Sequence, residues 1–204
     1  MAKSFYPLAR TIHQYVSMAM LLLVLFFAVT GITLNHPQWF VGEPQVNEIE
    51  TTLPSTLLSS TLATRPIDTS ALVNHLLELH PLSGKASEQD LFTDWEDGEL
   101  LEGELSQSFQ GPGYHASLFI DLTTGEAQIS ERDAGVVAFL NDLHKGRYSG
   151  EFWSVVIDIS ALLMVLFSLS GAVLILPKKR IAKKFMLVSV IGGVIALLLA
   201  LTTR

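Results

Sequence analysis

Three apolar runs, parted by one long polar segment and one short basic segment, organise this chain. From Thr11 to Gly42 there is no Asp, Glu, Lys or Arg, and Val16 to Leu34 is almost wholly apolar. That length crosses a bilayer as a helix. A secretion signal also begins with basic residues before an apolar run. This run is longer than a signal's, however, and no small-x-small cleavage site follows it before Asn35-His36-Pro37, so an uncleaved helix is expected. Tyr6 and Tyr15 suit one membrane interface, Trp39 and Phe40 the other. The second run, Phe152 to Leu176, is interrupted only by Asp158. The third, Phe185 to Leu201, is shorter and spans with some tilt or local thinning.

Residues 37–143 are polar. Pro44, Pro54 and the Thr/Ser run around 51–64 read as an extended linker. Asp68-Thr69-Ser70 offers a cap to a helix over ALVNHLLELH, which must stop at Pro81. Strand patterns follow in EQDLFTDW, GELLEGELSQSF and YHASLFIDL, then in EAQIS after the turn Thr123-Thr124-Gly125. In YHASLFIDL, Tyr114, Ala116, Leu118, Ile120 and Leu122 share one face, the alternation of a half-buried strand. A helix beginning at Asp133 leads into His144. One helix on a small antiparallel sheet is the economical arrangement.

Charge orients this pattern. The N-terminal segment and the 177–184 loop together hold seven Lys and Arg and no acid, while residues 36–151 hold five basic residues against nineteen acids. By the positive-inside rule the N-terminus and the basic loop are cytoplasmic and the large loop and the C-terminus lie outside. The expected fold is thus membrane α-helical, three transmembrane helices with the N-terminus cytoplasmic, and an α+β domain inserted between helices 1 and 2. Its divisions are 1–36 (cytoplasmic N-terminus and helix 1), 37–143 (outer linker and domain), 144–176 (junction and helix 2) and 177–204 (basic loop and helix 3). With no cysteine in 204 residues, disulfides, thiolate chemistry and cysteine-ligated iron–sulfur clusters are excluded. No phosphate-binding glycine loop, nucleophile constellation, zinc spacing or nucleic-acid surface is found.

That topology delivers two histidines to one membrane surface. His36 ends the first run and His144 precedes the second. Two imidazoles facing each other there suit axial ligation of a b-type haem, built from side chains on facing helices. Two ordinary interfacial histidines are the plainer reading. Lys145 and Arg147 stand where haem propionates would lie, and equally where lipid phosphates would. Asp158, about one and a half turns inside the second helix, is an intramembrane acid, able to orient a ligating histidine or to sit at the interface. His13 lies twenty-three residues before His36, about 35 Å along a helix, so the two cannot share one iron. A second haem at His13 would need a partner from a second subunit, or a methionine such as Met164 or Met186. Asp94, Glu96, Asp97 and Glu99 form a weak candidate for ferric iron or another hard cation, with a solvated hairpin as the default. His75 and His80, about 140° apart on a helix, make a poor metal pair.

An internal echo accompanies these residues. LLVLFFAVTGITLNHP (22–37) aligns without gaps on LLMVLFSLSGAVLILP (162–177), matching Thr30-Gly31 with Ser170-Gly171 and Pro37 with Pro177. It reads either as a weak inverted repeat or as chance likeness of leucine-rich helices. Leu176 stands where the first copy has His36.

RTIHQYVSMAM with TGITLNH, the strand pair YHASLFIDLTTGEAQI, and NDLHKGRYSGEFWSVVIDISALLMVLFSLSG together resemble the PepSY-associated transmembrane family of bacterial inner-membrane proteins. The resemblance implies a PepSY-like α+β domain in the periplasm. It places His13, His36 and His144 in the family's histidine-bearing motifs. Some members, siderophore-iron reductases among them, use membrane haem to pass electrons to periplasmic ferric iron. The chain departs from the family in having three spans and one PepSY-like unit, so a full transmembrane haem chain would call for a dimer. The expected function is a ferric or ferric-siderophore reductase with haem b held by His36 and His144. Its electrons would come from quinol, or from a cytoplasmic flavin or NAD(P)H donor. The competing expectation is a membrane-anchored PepSY-type binding or regulatory module, or an accessory transporter subunit, without redox activity.

Overall fold

The computed structural model describes residues 2–40, 42–64 and 66–203, with side chains from Tyr6 onward. Contacts divide the chain into two units, one of residues 1–26 with 156–204 and one of residues 27–155.

The first unit is helical. It holds the bulk of α1 (Ala2–Asn35), most of α6 (Gly150–Ile175) and all of α7 (Lys179–Leu201). Each is long and apolar enough to cross a membrane. Few of their residues are buried within the chain, as suits helices whose apolar solvent is lipid. α7 starts six residues earlier than the apolar run, because Lys179 to Lys184 are good helix formers whose long stems leave their charges in water. Among the described side chains of this unit's helices, Met20, Ser160 and Ser170 are the buried exceptions.

The second unit is an α+β sandwich. Its sheet runs β1 (Gln45–Thr52), β6 (Glu126–Asp133), β5 (Tyr114–Asp121), β4 (Glu99–Gly111), with β2 (Lys85–Ala86) and β3 (Asp90–Glu96) both antiparallel to β4. Ala116, Leu118, Ile120 and Leu122 are buried on one face, as the alternation required, and Leu105, Phe109, Ala127 and Ile129 join them. Onto this face pack α3 (Ser55–Leu62) and α4 (Ser70–Leu79), with Leu72, Val73 and Leu76 fully inside and Leu57, Leu58 and Leu62 at the margin. Burial of each such Leu or Ile contributes about 1.5–3 kcal/mol. Asp68, one residue before the Thr69 N-cap, accepts the Ser70 amide at the start of α4 at 3.0 Å.

The stretch read as a linker is ordered structure. Four residues after His36 form a short helix α2 (Pro37–Phe40), residues 45–52 pair along their whole length with β6, and residues 55–62 form α3. QVNEIETT has little apolar alternation because β1 is an edge strand, mostly exposed on both faces, so its pairing is carried by the backbone. The helix expected from Asp133 begins later, as α5 (Gly135–Lys145), because Asp133 completes β6 and Ala134 is the N-cap.

Candidate functional site

α5 delivers His144. Its last turn closes on Gly146, left-handed at φ 68°, with Arg147 N–H donating to the Asp142 carbonyl at 2.9 Å. The far side of that turn is held by Trp153, whose indole N–H donates to the Leu143 carbonyl at 2.7 Å. Asp142 accepts the Gly113 amide at 2.9 Å, tying α5 to the β4–β5 turn. One face of α5 then meets the end of α1 through two side-chain bonds. Thr33 donates to the Asn141 side-chain carbonyl at 2.5 Å, and Thr30 Oγ1 lies 2.6 Å from His144 Nδ1. Both pairs are three apart on their own helices, the spacing that puts side chains on one stripe. The His144 ring stands edge-on to Phe27 at 5.1 Å, and its Cε1 lies 3.7 Å from where a Cβ on Gly31 would be. The ring is half-buried, and its Nε2 has no hydrogen-bond partner among the described residues.

His36 lies elsewhere on α1. Its amide still bonds the Ile32 carbonyl at 3.1 Å, so it continues the helical path. Five residues after Gly31, it points about 140° away from the line His144 occupies. Its ring stacks on Trp39 at 4.0 Å with a 4° tilt, and its Nε2 lies 3.3 Å from the Asn35 side-chain nitrogen Nδ2. The structure therefore brings His144 to α1 but does not set His36 opposite it. Lys145 reaches Asp142 at 3.9 Å, an exposed pair of small energetic weight. Arg147 is exposed beside it.

In the helical unit His13 is bound in a like manner. Its Nδ1 lies 3.0 Å from Ser170 Oγ and 3.2 Å from the Phe167 carbonyl. The ring stacks on Phe167 at 4.6 Å, and a Cβ on Gly171 would come within 3.2 Å of its Cε1. Met164 and Met186 are both exposed, and neither contacts His13 among the described interactions. Asp158 is exposed on α6 and touches no histidine among the described residues.

Asp94, Glu96, Asp97 and Glu99 line the β3–β4 hairpin, all exposed, with Asp97 at φ 51° in the turn. No three His, Asp or Glu side chains among the described residues converge on a metal-sized space. His75 and His80 lie on and just beyond α4, and His115 faces outward from β5.

Sequence reasoning missed the residues that hold the two rings. Phe27 and Thr30 hold His144, and Phe167 and Ser170 hold His13. The one signal that could have found them was the repeat, whose Thr30-Gly31 and Ser170-Gly171 pairs are the two places where a histidine docks.

No curated protein and no solved structure matches this chain. A family model described as Putative PepSY_TM-like matches residues 7–203, and three membrane-length helices flanking an α+β unit accord with it. The chain is a membrane protein of the PepSY_TM-like family.

Proposed function

We propose that this protein is a b-haem electron-transfer protein of the bacterial inner membrane, passing electrons to ferric iron or a ferric chelate outside the cytoplasm. The supporting observation is the state of His144. A metal-bound histidine characteristically engages a fixed partner through its other ring nitrogen, and His144 does so through Thr30 while Nε2 remains for a ligand. The donor chemistry thus fits a haem iron, which when bound would supply a one-electron ferric/ferrous couple. His144 would be one ligand to the iron, and His36, on leaving Trp39, would be the other. Lys145 and Arg147, exposed beside His144, would be the cations for propionates. A second haem would use His13, with a partner ligand from a second copy of the chain. Quinol, or a cytoplasmic flavin or NAD(P)H carrier, would be the donor.

The orientation belongs to the same proposal. The N-terminus and the basic 177–184 loop are placed in the cytoplasm and the α+β unit in the periplasm, from the charge asymmetry.

The test is an absorption spectrum of the detergent-purified chain, expressed with haem supplied, before and after dithionite. A sharp reduced b-type spectrum, lost in His144→Ala, is expected. A colourless wild-type protein would sink the haem assignment. A coloured protein whose spectrum survives His36→Ala would remove His36 alone. A binding role draws on one observation. A cleft of about 530 Å³ in the α+β unit is lined by Lys85, Gln110, Tyr148, Ser149 and Glu151, and the Ser149 hydroxyl is buried there with no hydrogen-bond partner among the described residues. Recovery of a stoichiometric partner by haem-free protein would favour that reading.

A further inference from the structure

The two histidine environments are one device used twice. Phe27, Thr30 and Gly31 on α1 correspond without a gap to Phe167, Ser170 and Gly171 on α6. In each copy an aromatic ring lies against the imidazole, at 5.1 Å for His144 and 4.6 Å for His13. In each copy a buried hydroxyl meets Nδ1, at 2.6 Å from Thr30 and 3.0 Å from Ser170. In each copy a glycine leaves room for Cε1. The need is sharper at Gly171, where an added Cβ would press on the ring at 3.2 Å, than at Gly31, where it would sit at ordinary contact distance of 3.7 Å.

The proton on each ring follows from the partners. At His13, Nδ1 also faces the Phe167 carbonyl, which only accepts, so Nδ1 must carry the proton. The Ser170 hydroxyl spends its own proton on that same carbonyl at 2.9 Å and is left to accept from the ring. Thr30 Oγ1 lies 3.5 Å from the Phe27 carbonyl, three residues back as in the other copy, so its hydroxyl has an acceptor of its own and is able to accept from Nδ1. We infer that Thr30 and Ser170 are positioning residues that hold His144 and His13 in the Nδ1–H tautomer, so that Nε2 alone is presented with its lone pair. Free histidine in water prefers the opposite tautomer, so the cradle reverses an intrinsic preference. What Nε2 then binds rests on the haem reading, but the tautomer does not.

The test uses the full chain, haem-free, labelled with ¹⁵N-histidine in lipid at a pH where the rings are neutral. Expected are Nδ1–H resonances for both His144 and His13, assigned by loss in His144→Ala and His13→Ala. Thr30→Val should return His144 to the Nε2–H form, and Thr30→Ser should restore Nδ1–H. Ser170→Ala should move His13 less, because the Phe167 carbonyl remains. An Nε2–H tautomer at His144 in the wild type, or no change in a folded Thr30→Val, overturns the inference. If Thr30→Val fails to fold, the wild-type and Thr30→Ser tautomers still decide it. Hemin titration separates the two claims. Thr30→Val should weaken uptake by about 10-fold or more, whereas the expected tautomers in a wild type that takes up no hemin would end the haem reading alone.

Discussion

At the scale of single residues, the chain secures its turns by local acceptance of backbone amides. Asp121 ends β5 by accepting the Thr123 hydroxyl at 2.6 Å and the Thr123 and Thr124 amides at 2.7 and 3.2 Å. These bonds, the Thr123 side chain first, favour the charged carboxylate and lower its pKa below the usual 3.8. The folded state therefore binds fewer protons here than the unfolded chain. The stability it confers is present above about pH 4 and is lost as pH falls through the lowered pKa. Asp121→Asn should flatten that acid limb, read as the apparent melting temperature of the purified protein from pH 5 down to pH 2. An unchanged acid limb would show that other groups govern it. Legibility at this scale was mixed. The Asp68 bond at the start of α4 was apparent from the short spacing between donor and acceptor, but the Thr30–His144 bond joins residues a hundred and more positions apart, which no local pattern encodes.

At the scale of elements, α5 is the piece that positions His144, and one glycine decides how closely it can sit on the sheet. Gly113, at φ 66° in the β4–β5 turn, lies so near α5 that a Cβ would meet Phe139 N at 2.7 Å and Phe139 Cα at 2.9 Å. Backbone atoms cannot step aside as a side-chain tip can. Gly113→Ala should therefore destabilise by about 3 kcal/mol, combining left-handed strain with overpacking, and should displace His144. Gly135, at φ 79° with open space around it, is the control, and Gly135→Ala should cost only about 1–2 kcal/mol of strain. Equal losses in thermal unfolding would show that the Phe139 contact is unimportant. β1 teaches the complementary point. An edge strand that is mostly exposed, with Ile49 and Thr51 half-buried, has little need of apolar alternation, so QVNEIETT reads as linker until β6 is found beside it.

At the scale of the whole molecule, the arrangement across the bilayer is the testable quantity. A chain without cysteine allows single-site labelling without interference from native thiols. Ser59→Cys, exposed in α3, should react with a membrane-impermeant maleimide in intact spheroplasts. Lys183→Cys, in the basic segment, should react only after permeabilisation. The reverse pattern would overturn the orientation, and with it the periplasmic placement of the α+β unit.

By itself the sequence determined the three membrane-length helices, the hairpin strands β3 to β6 and the helix α4. Each is written in local periodicity, because a helix in lipid needs only continuous apolar surface and a half-buried strand needs only alternation. The tertiary structure alone decided where the histidines point. It docked His144 on Thr30 and His13 on Ser170, and turned His36 onto Trp39. Those choices depend on helix phase and on contacts between residues far apart in the chain, and an imidazole's spacing along the sequence carries neither.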